Sequence, residues 1–212
     1  MSGRGLRRVV VIGAGGHAKV VIATLQAAGF AVAALLDDDP ARAGSVLLGV
    51  EVQGTTADLL RVERVPAVIA VGDNRSRREI AGRLAGLEWL SVVHPAAFVH
   101  PSVRLGPGTI VFAGCVIQPD TILGSHVIVN TGARVDHDCL IEDFVHLAPG
   151  TLLAGGVTVR EGALLGVGSA AIPGVTVGPW TTVGAGGVVI DDLPGGVTAV
   201  GVPALPRRKE SS

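Results

Sequence analysis

Six histidines, two cysteines and several aspartates carry most of the chemistry available to this 212-residue chain, which has no tyrosine. His137 stands out because aspartates flank it on both sides, Asp136 and Asp138. An unperturbed imidazole titrates near pH 6.5, so it can take a proton at neutral pH. An adjacent carboxylate orients such a ring and stabilises its protonated form. His126 and His146 are the nearest other histidines. They stand eleven residues before it and nine after it.

A second group opens the chain. Gly13-Ala14-Gly15-Gly16-His17-Ala18 matches G-x-G-x-x-A and follows the all-apolar Val9-Val10-Val11-Ile12. Amides of Gly15 and Gly16 at the start of a helix are suited to hold a phosphate or nucleotide. Asp37 and Asp38 close the next apolar run, and Gly72 closes a third. Glycines also serve plain tight turns, and aspartates after a strand are common turn formers. Residue types alone leave both readings open at these positions.

The elements that must position these groups follow from two periodicities. From Val93 to Val189, every sixth residue is aliphatic, without one insertion. Four residues after each anchor from Val99 onward stands a small or β-branched residue, from Val103 through Cys115, Cys139 and Ser169 to Gly187. A six-residue unit makes one short strand and one tight turn, and three units close a triangular coil. Coils stack through parallel ladders at about 4.8 Å, giving a prism roughly 25 Å long. A sandwich of short strands would show period-two alternation and uneven loops instead. Cys115 and Cys139 fall in the small-residue column on different faces, which predicts two reduced core thiols. On one corner the column Pro101, Pro119, His137, Gly155, Pro173 holds turn residues at every level except His137.

Before the repeat, strands are expected at Val9–Ile12, Ala31–Leu36 and Ala67–Val71. Helices are expected from the glycine loop to about Ala28 and from Ser76 to Leu84, with Asn74 as cap of the latter. Alternating strands and helices give a small open α/β sheet. Its crevice lies at the carboxyl ends of the strands, where Gly15, Asp37 and Gly72 fall. The fold class is therefore α/β plus all-β. Residues 1–92 form a Rossmann-like domain and residues 93–212 a left-handed parallel β-helix with a short tail. His94 and His100, each before a proline, read as structural.

Composition agrees. Apolar residues make up 48 % and aromatics 3 %, so the core must be filled by Val, Ile, Leu and Ala in thin layers. A net charge of −1 gives no field toward nucleic acid or an acidic membrane. No apolar run reaches spanning length, which predicts a cytoplasmic protein with no membrane partner. The outward residues Ile110, Val116, Ile122 and Ile128 predict an apolar stripe that association would bury, hence a homotrimer.

Three segments together resemble a known family: G-A-G-G-H-A after the first strand, L-L-D-D after the second, and V-N-T-G-A-R-V-D-H-D-C-L-I-E-D-F-V-H in the repeat. They are similar to the hexapeptide-repeat sugar acetyltransferases of the NeuD and PglD type, over nearly the whole chain. The resemblance implies an acetyl-CoA-dependent N-acetyltransferase for a nucleotide-linked 4-amino sugar, serving surface polysaccharide or glycan synthesis. O-acetylation of a sialic acid-type sugar is the near alternative, and a γ-carbonic-anhydrase-like metal hydratase the remote one; no metal is expected. It implies His137 as general base with Asp138 as its polariser, where the best-known amino-sugar relatives carry glutamate. His146, Val167 and Ala185 would contact acetyl-CoA. Gly15, Gly16, His17, Asp37, Asp38 and Gly72 would hold the sugar nucleotide. Trimers with sites between subunits are implied, and the basic tail Arg207-Arg208-Lys209 reads as solvated.

Overall fold

The computed structural model describes residues 7–61 and 65–207. Arg208 and Lys209 lie outside the described residues. The amino-terminal part carries β1 (Arg7–Ile12), α1 (Gly16–Ala27), β2 (Phe30–Leu36), β3 (Val46–Leu47), β4 (Val50–Gly54), β5 (Ala67–Ile69) and α2 (Asn74–Arg83). Its sheet runs in the order β3-β4-β2-β1-β5. The chain steps from β1 to β2 on one side and reaches β5 on the other. The crevice of such a sheet opens where the order reverses, at the carboxyl ends of β1 and β5. Val9 to Ile12 are buried throughout, as a central strand requires. Ala18, Val21, Ile22 and Leu25 give α1 its buried stripe at helical spacing. Gly13, at φ +102°, must be glycine: a Cβ there would stand 2.7 Å from Val71 Cγ2.

One local expectation is corrected, and one element was not foreseen. Asp73, not Asn74, caps α2, accepting from the Ser76 amide at 2.8 Å. Asn74 is the first helical residue, and its side chain crosses to the prism. The β3–β4 hairpin has only two paired positions and no hydrophobic alternation to announce it.

Two-residue rungs follow at the six-residue spacing, from Val92–Val93 to Val188–Val189. Each pairs in parallel with the rung eighteen residues on, as Val129 with Leu147 and Leu147 with Leu165. Three sheets result, and with them the left-handed β-helix. The first face carries Ile110, Ile128, His146, Leu164 and Thr182 outward. The second carries Phe98, Val116, Arg134 and Leu152, the third Arg104, Ile122, Leu140 and Thr158. The anchors and the small-residue column form one buried core, Cys115 and Cys139 included as free thiols. Beyond the last full coil, Thr198–Val200 adds in parallel to Thr182–Val183, and Leu205–Pro206 then pairs with it antiparallel.

The proposed outward stripe splits among the faces. Ile110 and Ile128 are not exposed: with Phe112 they pack into one cluster with Val9, Ala18, Leu35 and Val68 of the α/β part. Fully burying such side chains stabilises by roughly 1.5–3 kcal/mol each, enough to fix the α/β part on the first face. Ile122 remains exposed on the third face, and Val116 is half-buried on the second.

Candidate active site

His137 occupies the corner between the second and third faces, opposite the face that carries the α/β part. It is exposed, with Nδ1 2.7 Å from Asp138 Oδ2. Its amide donates to Asp136 Oδ1 at 2.8 Å. Asp138 takes a left-handed turn conformation at φ 58°, which aspartate tolerates. The Asp138 hydrogen bond, followed by the charge of Asp136, raises the imidazole pKa above its ordinary value. A carboxylate only accepts, so the neutral ring carries its proton on Nδ1 and leaves Nε2 free to take another.

His146 belongs to the first face, where the α/β part half-buries it. Its Nδ1 lies 3.2 Å from the Gly72 carbonyl oxygen and its Nε2 3.1 Å from the side-chain nitrogen of Asn130. Donation to a carbonyl fixes the proton on Nδ1, so Nε2 accepts from Asn130. The Asn130 oxygen in turn accepts from the Thr131 amide at 2.8 Å, which settles the orientation of the amide group. Burial, then the charges of Arg77 and His17, outweigh the Gly72 bond and push the His146 pKa down to about 4. The ring is neutral at physiological pH.

Around it gather the amino-terminal candidates. His17 stands edge-on to Phe112 at 5.4 Å and 6.0 Å from His146, measured between ring centroids. Its Nε2 is buried and has no hydrogen-bond partner among the described residues, and burial with the Arg77 charge lowers its pKa to about 4. Gly15 caps α1 with no side-chain bond, and a Cβ at Gly15 or Gly16 would meet nothing within 4 Å. That is open space beside helix-end amides, the arrangement that suits an anion. Asp37 and Asp38 are engaged within the chain. Asp37 accepts from the Ala14 amide at 2.6 Å and the Asp39 amide at 2.9 Å, tying down the glycine loop. Asp38 accepts from the Thr56 amide and hydroxyl, both 2.8 Å, and from Arg83 at 2.5 Å. A cavity of about 130 Å³ opens between Gly72, Asn74 and Arg75 on one side and Leu164, Trp180 and Thr182 on the other.

Val167 and Ala185 are exposed and stack on the corner between the first and second faces. One protomer thus brings Gly15, Gly16, His17, Gly72 and His146 together, and holds His137 and Asp138 apart from them. His126, at the corner between the third and first faces, is buried between Phe144, stacked at 5.2 Å, and Trp89 at 4.8 Å. His94 and His100 receive the amides of Ala96 and Ser102 on their Nδ1 atoms, as turn residues do.

Sequence reasoning missed Asn130 and Arg77. Asn130 lies within the quoted repeat motif, but only coil stacking places it against His146. Arg77 is fully buried, 1 % exposed, in a helix otherwise rich in solvated arginines, and no spacing rule marks it.

An α/β crevice on a hexapeptide prism, with a histidine held by a carboxylate on one corner, defines a two-domain hexapeptide-repeat protein. Residues 8–84 match the PglD N-terminal domain family. Perosamine N-acetyltransferase from Caulobacter crescentus, solved as a histidine variant with CoA and GDP-perosamine, is 48 % identical. The likeness covers 98 % of this chain and 100 % of that one, at a TM-score of 0.90. The acetyltransferase domain of PglB from Neisseria gonorrhoeae, solved with acetyl coenzyme A, is 41 % identical over 96 % of this chain and 100 % of its own, at a TM-score of 0.89. UDP-N-acetylbacillosamine N-acetyltransferase of Bacillus subtilis is 40 % identical over 51 % of this chain and 52 % of that protein. The chain spans about half, or less, of the length of the curated relatives it matches. It belongs to the PglD family of sugar N-acetyltransferases.

Proposed function

We propose that this protein transfers the acetyl group of acetyl-CoA to the amine of a nucleotide-linked 4-amino sugar. The observation that carries this reading is the full-length likeness to an enzyme solved with CoA and GDP-perosamine together. The crevice at Gly15, Gly16 and Gly72 holds the sugar nucleotide, with His17 closing its floor and Asp37 and Asp38 shaping its turns. Acetyl-CoA runs along the corner of Val167 and Ala185, its thioester near His146.

His137 stands on the far side of its own prism, so the base reaches the crevice of a neighbouring copy. The working form is a homotrimer with sites between subunits. The exposed Phe98, Ile122, Leu140 and Leu152 on the second and third faces are the surfaces available for that contact. In the transfer, the sugar nitrogen bonds to the acetyl carbon, His137 Nε2 takes the nitrogen's proton, and the C–S bond breaks to release CoA, which receives a proton. Asp138 stabilises the imidazolium that forms. Residues 1–92 serve the sugar nucleotide and residues 93–212 the coenzyme. Among the described residues no helix is long and apolar enough to cross a membrane. The cytoplasm is the compartment proposed with this reading.

The test is thiol release from acetyl-CoA against a panel of GDP- and UDP-linked sugars bearing an amine or a hydroxyl at the 4-position. Release with the amines alone is expected. Equal turnover of hydroxyl acceptors would make the protein an O-acetyltransferase, and no turnover of any acceptor would overturn the reading.

A further inference from the structure

Arg77 is buried, yet among the described residues no carboxylate bonds its guanidinium. Its Nε donates to the His126 carbonyl at 2.9 Å, and Nη1 donates to the carbonyls of Val71 and Gly72, both at 3.2 Å. Nη2 donates to Asn74 Oδ1 at 2.8 Å and to the Phe144 carbonyl at 2.7 Å. All five N–H groups are thereby used. The acceptors come from two places: the loop that closes the sugar-nucleotide crevice, and two successive coils of the prism. Asn74 extends the same grip, donating to the carbonyls of Gly162 at 3.0 Å and Ala163 at 3.1 Å.

A buried cation satisfied by neutral carbonyls carries a large desolvation cost, and well-packed apolar side chains hold surfaces together as firmly. The apolar cluster of Ile110, Phe112 and Ile128 already does so on the first face. What the guanidinium adds is direction, because a planar fork fixes the relative placement of every group it bonds. One of those groups, the Gly72 carbonyl, is also the partner of His146 Nδ1.

We propose that Arg77 is a positioning residue for the transfer: its guanidinium locks the Val71–Asn74 loop to the prism, and so sets where an amino sugar in the crevice stands relative to His146. This deepens the acetyltransferase reading and rests on it. Arg77 does not touch either substrate. It acts through the loop and through His146.

Arg77→Lys keeps the charge and loses the fork, so the ammonium reaches the loop or the corner carbonyls but not both. Calorimetry should give dissociation constants for acetyl-CoA and the sugar nucleotide within about threefold of the parent, since neither ligand loses a contact. Turnover per calorimetrically counted CoA site should fall by about 10²-fold, the loss that a displacement of about 1 Å carries. A purely structural role would lower the melting temperature and the number of binding sites, and leave turnover per site unchanged. Turnover per site within threefold of the parent overturns the proposal. Should Arg77→Lys not fold, Asn74→Ala loosens the same clamp, with about tenfold lower turnover per site expected and an unchanged value overturning the idea. A parent protein that acetylates no amino-sugar nucleotide removes the functional reading and this inference with it. A parent that turns over beside an equally fast variant removes only the role of Arg77.

Discussion

The imidazole of His137 lies over Gly155, one coil further along the prism: a Cβ at Gly155 would stand 2.6 Å from the ring's Cε1 and 2.7 Å from Nε2. The corner column that holds proline elsewhere is glycine here because the ring occupies the space a side chain would take. Position and orientation of the imidazole are therefore set by two residues, Asp138 at its side and Gly155 beneath it.

His137→Ala should fold and assemble like the parent, since the side chain is exposed and alanine suits the corner. Turnover at saturating substrates should fall by about 10²–10⁴-fold, the usual worth of a positioned base. Gly155→Ala should leave the thermal midpoint nearly unchanged and reduce turnover by displacing the ring. A His137→Ala protein that keeps more than about a tenth of parental turnover would show that the amine enters unprotonated and needs no base.

The pH profile reports the two aspartates. Because Asp138 and then Asp136 hold the His137 pKa above 6.5, the imidazole stays protonated further up the pH scale, and a base must be deprotonated to act. Activity should rise with pH through a limb above 6.5. Asp138→Asn removes the larger contribution, so its limb should move to lower pH while maximal turnover drops. A limb that does not move would assign the titration to another group.

The proposed sharing of the site between neighbouring copies predicts complementation. His137→Ala keeps its crevice, and Gly15→Leu keeps its base. Mixed by co-unfolding and refolding, a cyclic trimer of random composition regains about a quarter of its sites. No recovery would place base and crevice in the same subunit.

Gly15→Leu should itself separate the two ligands. Its φ of −76° suits any residue and its Cβ faces open space, so the fold tolerates the change. Calorimetry should show sugar-nucleotide binding lost and acetyl-CoA binding within a fewfold of the parent. Equal loss of both would contradict the division between crevice and prism.

Acid stability should depend on buried histidines. Burial foremost, with the charge of Arg77, lowers His17, His126 and His146 to about 4 each. Below about 6.5 the unfolded chain binds protons that the folded chain refuses until about 4, so stability falls across that window as pH drops. His126→Phe removes one such group and its Nδ1, which has no partner among the described residues, and Phe144 already shows that this corner accepts phenylalanine at a φ of 58°. The variant's melting temperature should match or exceed the parent's and fall less steeply between pH 6.5 and 4.

The prism was legible because a six-residue period leaves little freedom: each anchor's register fixes its face. The same arithmetic singled out His137 as the odd residue of a corner column. The α/β strands and α1 could be read from apolar runs and glycine stops. The covering of Ile110 and Ile128 could not, because an outward aliphatic residue looks the same under a domain as under a second subunit. Nor could the state of Asp37 and Asp38, since a carboxylate that ties a turn and one that binds a ribose share a sequence position. Asn130 and Arg77 stayed hidden for a related reason. Both act across distances in sequence that only the stacking of coils and the docking of α2 bring to bonding range.

A parallel ladder whose every coil offers the same outline is a template onto which like chains can stack without limit. At the far end of this prism the strand Thr198–Val200 is met by Leu205–Pro206 running the opposite way. Pro206 has no amide hydrogen to offer, and reversed direction breaks the match to the next coil's hydrogen-bond pattern. The hairpin thus closes the ladder of the first face to a further coil.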